Sequence, residues 1–198
     1  ARDKVYVLRC WLALGDKEDT LRRRYRDEDT GEFKARDEPS DEVSEWLGVM
    51  VDGGRVKCLK WGKAMIGLRL TGTIPAEIGA LDGLIVLNLS RNQICGPLPS
   101  EIGRLTSLRH VYLHCNRLQG PLPAEIGAFT ALKSMYLDRN NFTGEVPSTL
   151  ANLTNVKALT LFDNNFDTGV PTEWFDSKLK VQRYFATLRP KRVEDQPS

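Results

Sequence analysis

Residues 84–99 decide the fold, and they read LIVLNLSRNQICGPLP. The pattern returns at residues 108–123, 132–147 and 156–171, each time 24 residues further along the chain. Proline recurs at this interval at Pro75, Pro99, Pro123, Pro147 and Pro171, and asparagine recurs at Asn92, Asn116, Asn140 and Asn164. Several independent positions that keep one period predict stacked coils, because a single coil of this length cannot bury its own apolar face.

Each unit predicts the same short series of elements. The stretch LRHVYL at residues 108–113 alternates apolar and polar side chains near its end, which indicates a strand with its leucine and valine side chains facing inward. Asn116 follows where the chain leaves this strand, and a buried amide there can bond backbone groups of its own turn and of the neighbouring turn. We therefore expect the four recurring asparagines to form a structural ladder. The residues after Pro123 predict a turn of 3₁₀ or α-helix on the far side.

These residues resemble the leucine-rich repeat family, and within it the plant-type class with the consensus L-x-x-L-x-L-x-x-N-x-L-x-G-x-[IL]-P. The resemblance covers roughly residues 55–175. It implies an α/β solenoid, a right-handed superhelix with a parallel sheet on its concave face and a second short strand near each Gly-x-[IL]-Pro segment. We predict about five coils of 24 residues over residues 56–171, an N-terminal cap at residues 1–55 and a C-terminal cap and polar tail at residues 172–198.

The two ends depart from the repeat. Residues 5–14 are apolar enough for a helix that packs on the first coil, the basic residues near Arg24 indicate a solvated helix face, and residues 31–41 indicate a loop. The cap holds Ser44 and Val51 where secreted plant-type proteins usually carry a cysteine pair. It instead resembles the disulfide-free caps of intracellular repeats, including those attached to Roc–COR GTPases. At the other end, the apolar residues Trp174, Phe175, Leu179, Val181, Tyr184 and Phe185 are expected to cover the last coil.

The composition excludes several classes of function. The 198 residues include 28 Lys and Arg against 26 Asp and Glu, so the net charge is +2. That balance gives no electrostatic drive toward nucleic acid. No apolar run approaches the 18 or more residues that span a bilayer, so we expect no membrane span. The two parts of the chain differ in the sign of their charge. Residues 1–55 hold 11 basic and 14 acidic residues, whereas residues 56–198 hold 17 basic and 12 acidic residues.

Catalysis has little support in the sequence. The only two histidines, His110 and His114, stand four strand residues apart, which is roughly 13 Å and too far for one metal site. Cys115 follows His114 directly, but neighbours on a strand point to opposite faces, so a Cys–His dyad is disfavoured unless the strand has ended. No phosphate-binding loop is present. We predict no enzyme, no catalytic residue, no bound metal and no cofactor.

The outward side chains of the predicted concave sheet offer the better candidate site. Adjacent strands stand about 4.8 Å apart, so residues 24 apart form columns across the sheet. Aromatic, His and Arg side chains on an exposed rigid sheet have the chemistry of interface anchors. The predicted partner-binding residues are His110, Tyr112, His114, Tyr136, Arg139 and Phe162.

Four scattered cysteines favour free thiols and therefore a reducing compartment, so we predict a cytoplasmic location, with a secreted or cell-surface one as the alternative. The sequons at Asn88, Asn141 and Asn152 suit the alternative, but the repeat consensus itself favours such triplets.

The family resemblance implies a non-catalytic module that binds a protein or peptide on its concave face, in immune or signalling recognition. We expect this module to be a monomer. Three alternatives remain open: a regulatory region of a larger signalling enzyme such as a Roc–COR GTPase, a secreted recognition domain, and a structural spacer.

Overall fold

The computed structural model describes residues 2–14, 24–26, 33–35, 48–62 and 69–167 of the 198. The expected C-terminal cap residues (Trp174, Phe175, Leu179, Val181, Tyr184 and Phe185), with Ser44 of the N-terminal cap, lie outside these ranges. The boundaries of the two caps therefore stay predictions.

The N-terminal region contains one helix and one small hairpin. Helix α1 spans Arg2–Ala13, which confirms the expected helix. Strands β1 (Arg24–Arg26) and β2 (Phe33–Ala35) pair antiparallel, with Arg24 opposite Ala35. The predicted helix face around Arg24 and the predicted loop over residues 31–41 are thus wrong at these positions. Runs of three residues are too short for sequence periodicity to distinguish a strand from a helix.

One six-stranded sheet crosses all the repeats. An antiparallel pair, β3 (Val49–Asp52) and β4 (Arg55–Lys60), forms its first edge. The remaining strands follow in parallel: β5 (Val86–Asn88), β7 (His110–Tyr112), β9 (Ser134–Tyr136) and β11 (Ala158–Thr160). Val86, His110, Ser134 and Ala158 are partners across successive strands, so the pairing register equals the sequence period.

A second parallel sheet and a row of 3₁₀ helices complete each coil. The second sheet contains β6 (Cys95–Gly96), β8 (Arg117–Gly120), β10 (Asn141–Gly144) and β12 (Asn165–Phe166). The 3₁₀ helices span Ala76–Ala80, Ser100–Arg104, Ala124–Ala128 and Ser148–Asn152. Each begins directly after a repeat proline, which occupies the N-cap position in an extended backbone conformation, where its missing N–H costs no intrahelical hydrogen bond.

The core is the column of apolar side chains between these three faces. Leu108, Val111 and Leu113 are all fully buried, as the alternation predicts. Phe129 and Phe142 are among the largest fully buried side chains, and the ring of Phe142 stacks on Phe166 at a centroid distance of 6.3 Å. The predicted solenoid with a parallel sheet is therefore confirmed.

Helix α1 closes the first coil with backbone bonds as well as apolar contacts. The carbonyls of Ala13 and Leu14 accept hydrogen bonds from the amides of Thr73 and Thr71, each at 3.0 Å. Asp3, only 5% exposed, accepts a hydrogen bond from the amide of Val56 at 2.9 Å. These bonds satisfy backbone groups that the first coil would otherwise expose to solvent at the end of the stack.

The 3₁₀ helices approach one another so closely that only glycine fits at their contact points. A Cβ added to Gly103 would lie 2.5 Å from the Cβ and 2.8 Å from the carbonyl oxygen of Glu125 on the next coil. Gly127 meets Thr149 in the same way, at 2.6 Å. The recurring Ile-Gly pair in these helices therefore sets how tightly successive coils stack on this side.

We expect Gly103→Ala to lower the free energy of unfolding by about 1–3 kcal/mol, because the added methyl group must push one coil away from the next. Urea unfolding followed by circular dichroism measures this loss. Ser100→Ala, an exposed change in the same helix, is the matched control and should stay within about 0.5 kcal/mol of the parent protein. Equal stability of the two variants would contradict the close-approach explanation.

Candidate functional site

The four recurring asparagines occupy one line through the solenoid and make equivalent hydrogen bonds. The side-chain nitrogen of Asn116 donates to the carbonyls of Leu113 in its own coil and Leu89 in the preceding coil, at 3.0 and 2.9 Å. Its side-chain oxygen accepts the amide of Ile94 at 3.1 Å. Asn92, Asn140 and Asn164 repeat this pattern. Each side chain thus joins two coils through three backbone groups.

The residue before each ladder asparagine adopts a left-handed backbone conformation. The φ angles of Arg91, Cys115, Arg139 and Asp163 are 58°, 57°, 56° and 52°. Such angles are rare outside glycine, and they mark the sharp turn by which the chain leaves the concave strand. The strand on which His114 and Cys115 were expected ends at Tyr112, so these two residues lie in this turn.

We expect Asn116→Ala to destabilise the fold by about 3–5 kcal/mol, because it leaves several buried backbone groups without partners. The measurement is chemical unfolding, and Asn141→Ala is the control at an exposed asparagine that should change stability by no more than about 0.5 kcal/mol. A loss of under 1 kcal/mol for Asn116→Ala would show that the ladder bonds contribute little.

The aromatic residues predicted to bind a partner form one contiguous cluster, which we call the aromatic patch (His110, Tyr112, His114 and Tyr136). The rings of Tyr112 and Tyr136 stack with centroids 5.3 Å apart and planes 7° from parallel. His110 stacks on Tyr112 at 6.3 Å, and His114 meets Tyr136 edge-on at 6.0 Å. All four side chains are half-buried, so part of the patch stays open to solvent.

The other two predicted residues lie beside the patch as a pair. The guanidinium carbon of Arg139 stands 5.7 Å from the centre of the Phe162 ring, within cation–π range. Arg139 also faces Asp163, with Nε 3.7 Å from Oδ2. A side-chain hydrogen bond with Cys115 is the main reason why the pKa of Arg139 lies above its ordinary value. The structure therefore places all six residues along neighbouring coils of one face.

Three buried polar residues lie in the same repeat columns as this surface, and the sequence analysis did not single them out. Ser134, Asp138 and Thr160 are buried, with exposures of 8%, 6% and 4%. The Ser134 hydroxyl hydrogen bonds to Nδ1 of His110 at 2.8 Å, and the Thr160 hydroxyl donates to the Asp138 carboxylate. Their columns were visible in the repeat, but their burial was not, because it depends on the neighbouring side chains and not on their own type.

His114 is the member of the patch whose surroundings disfavour a positive charge. Its Nδ1 is buried, and no residue in the described ranges gives it a hydrogen-bond partner. Burial lowers the pKa of the imidazole below 6.5, and the positive charges of Arg91 and Arg139 act in the same direction, whereas Asp138 opposes them. The neutral ring is therefore the form that this site favours.

A pH titration of stability tests this environment. Because the folded protein binds a proton at His114 less readily than the unfolded chain, the free energy of unfolding should fall as the pH drops below about 6.5. His114→Gln should remove this part of the pH dependence, measured as the difference from the parent between about pH 8 and pH 5. Gln119→Ala, on the second sheet, should keep the parent curve. Superimposable slopes for His114→Gln and the parent would contradict the assignment.

Among the residues that the structure describes, no group of three or more His, Cys, Asp or Glu side chains could hold a metal ion. Within the same ranges we find no helix with the length and apolar character needed to cross a bilayer.

Known proteins share both the repeat and the architecture. The Leucine Rich Repeat family model matches residues 83–105, 107–129 and 131–153. The chain is similar to the ectodomain of the Arabidopsis thaliana receptor kinase SOBIR1, with 25% identity and a TM-score of 0.67 over 93% of this chain and 90% of that one. It is also similar to the leucine-rich repeat ectodomain of the Arabidopsis membrane receptor kinase GASSHO1/SCHENGEN3, with 29% identity and a TM-score of 0.74. The repeats of this chain are leucine-rich repeats of the plant type.

The similar structures differ in length and in the molecules with which they form complexes. This leucine-rich repeat protein aligns over 90% of its own length but spans only 20% of the GASSHO1/SCHENGEN3 ectodomain, whose structure contains CASPARIAN STRIP INTEGRITY FACTOR 2. A chain of the Arabidopsis BIR3–SERK2 complex is 28% identical with a TM-score of 0.61, over 68% of this protein and 71% of that chain. No curated protein sequence matches this one.

The prediction of a cytoplasmic location is wrong. The similar structures are extracellular ectodomains of plant receptor kinases, which points to the cell surface or secretion. All four cysteines are free, as expected, but free cysteines did not identify the cellular compartment of the protein. Cys10 is 1% exposed, and burial raises the pKa of its thiol to about 12, so it would stay unreactive under oxidising conditions too.

Proposed function

We propose that this leucine-rich repeat protein is a non-catalytic recognition module that binds a peptide or protein segment on its concave face in cell-surface signalling or immune recognition. The observation that carries the proposal is the stacked pair Tyr112–Tyr136 at the centre of the aromatic patch. Tyrosine rings on a rigid sheet provide a large contact area, a polar tip and little conformational entropy to lose on binding.

The relatives support the same type of function. The structure of GASSHO1/SCHENGEN3 contains a bound integrity factor, and BIR3 and SERK2 form a complex with one another. Leucine-rich repeat ectodomains therefore serve as protein-recognition surfaces in these proteins. In this chain the half-buried rings lie on strands whose register is fixed by the repeat, so a ligand meets a surface that needs little reorganisation.

The proposal is tested by capturing the partner from an extract of the native source, identifying it by mass spectrometry and then measuring its affinity for purified variants. The double variant Tyr112→Ala, Tyr136→Ala should weaken binding by about 30-fold or more, as truncation of a hot spot does. Gln119→Ala changes an exposed residue of the second sheet and should bind like the parent. A partner that the double variant binds with unchanged affinity would refute the concave-face assignment and favour the structural-spacer alternative.

The regulatory role in a larger signalling enzyme, including a Roc–COR GTPase, stays a prediction from the cap resemblance. The full open reading frame decides it, because that role requires an enzyme domain in the same polypeptide.

A further inference from the structure

A pocket of about 430 Å³ lies at the turn edge of the solenoid, directly beside the aromatic patch. Three arginines line it, Arg69, Arg91 and Arg117, together with neutral amides and Cys115, and none of its lining residues is acidic. We call it the arginine pocket. The amide of Arg91 donates to the carbonyl of His114 at 2.9 Å, so the pocket and the patch share a stretch of backbone.

The three arginines come from three successive coils and are all exposed. Arg69 and Arg117 hold the same place in the repeat two periods apart, and Arg91 precedes the ladder residue Asn92. Within the part of the chain that the structure describes, Arg9, Arg55 and Arg139 form ion pairs, whereas the three pocket arginines form none. Three positive side chains that line one pocket without an acidic neighbour in its lining make a favourable place for an anion.

In the next coils, an arginine at an equivalent position already pairs with a carboxylate. Arg139 holds the repeat position of Arg91, and it faces Asp163, which lies one coil further on at the same position. For Arg91 the residue one coil further on is Cys115. The protein thus supplies a carboxylate to Arg139 from its own chain, whereas the corresponding residue one coil after Arg91 is a thiol, whose side chain is hydrogen-bonded to Arg139.

We propose that the arginine pocket binds an Asp or Glu side chain of the partner's peptide segment. That the carboxylate belongs to a peptide partner rests on the proposed function. Binding of a carboxylate in the pocket depends only on the three arginines. A guanidinium group presents a planar fork of donors that matches a carboxylate, and the Arg139–Asp163 pair provides the precedent on the same edge. A segment that crosses the aromatic patch then has an acidic residue next to its aromatic contacts.

Cys115→Asp is the sharpest test, because it places a carboxylate where Asp163 stands relative to Arg139. The φ of 57° at Cys115 matches the 52° at Asp163, and aspartate tolerates this conformation better than most residues, so the variant should fold. Cys115→Asn is the neutral control of the same shape. Arg91→Gln removes one pocket charge, and Arg104→Gln, at an exposed position among the 3₁₀ helices, removes one charge elsewhere.

The measurement is NMR titration of ¹⁵N-labelled protein with hexaglutamate, with hexaglutamine and sodium phosphate as comparison probes at low ionic strength. The parent, Cys115→Asn and Arg104→Gln should show hexaglutamate-dependent shifts of the Arg69, Arg91 and Arg117 side-chain signals. Arg91→Gln should bind about two- to fivefold more weakly, as expected for an exposed charge pair. Cys115→Asp should lose the shifts, because its own carboxylate competes with the probe.

Two results would overturn the proposal. One is equal hexaglutamate binding by Cys115→Asp and Cys115→Asn, and the other is phosphate shifting these arginine signals while hexaglutamate does not. The double variant Tyr112→Ala, Tyr136→Ala should bind hexaglutamate like the parent. A failure of the arginine pocket is therefore separable from a failure of the aromatic patch to bind a partner.

Discussion

The hydrogen bonds of the ladder asparagines are the interaction on which the rest of the structure depends. Where the chain leaves each concave strand, backbone groups turn inward to a place that water does not reach. The amide of Asn116 satisfies such groups in two coils at once, and Asn92 and Asn140 do the same on either side. At about 1 kcal/mol net for each bond, this contributes about 3 kcal/mol per coil, and leaving the groups unpaired would cost more.

The ladder also fixes the register, and the register produces the surface. Because one asparagine sits at the same depth in every coil, residues 24 apart face the same direction. Tyr112 lies against Tyr136 and His110 against Ser134 for this reason. The same constraint holds Arg91 and Arg117 at one edge in adjacent coils. The recognition surface is thus formed by columns of side chains at equivalent repeat positions, whereas the backbone stays the same from coil to coil.

Most of the fold, and less of the site, follows from the sequence. The proline and asparagine period predicts the coils and the parallel sheet, and the apolar run at residues 5–14 predicts the first helix. The left-handed turn before each ladder residue is not visible, since Arg91 and Cys115 carry no glycine-like signal for it. The burial of Asp138 and Thr160 is hidden as well, because it depends on the neighbouring side chains and not on their own type. The location was wrongly predicted because free thiols do not identify the redox compartment: Cys10 is buried and unreactive, and Cys58, Cys95 and Cys115 have no cysteine partner to bond with.

Native-state hydrogen exchange tests the central claim most directly. The amides of Leu70, Ile94, Leu118 and Phe142 donate to side-chain oxygens of the ladder. If the ladder holds the coils together, these amides should exchange as slowly as the strand-end amide of Leu113, which bonds to Tyr136. Exchange at the rate of the exposed turn at Gly53 and Gly54 would show that the ladder opens freely and that other contacts hold the solenoid together.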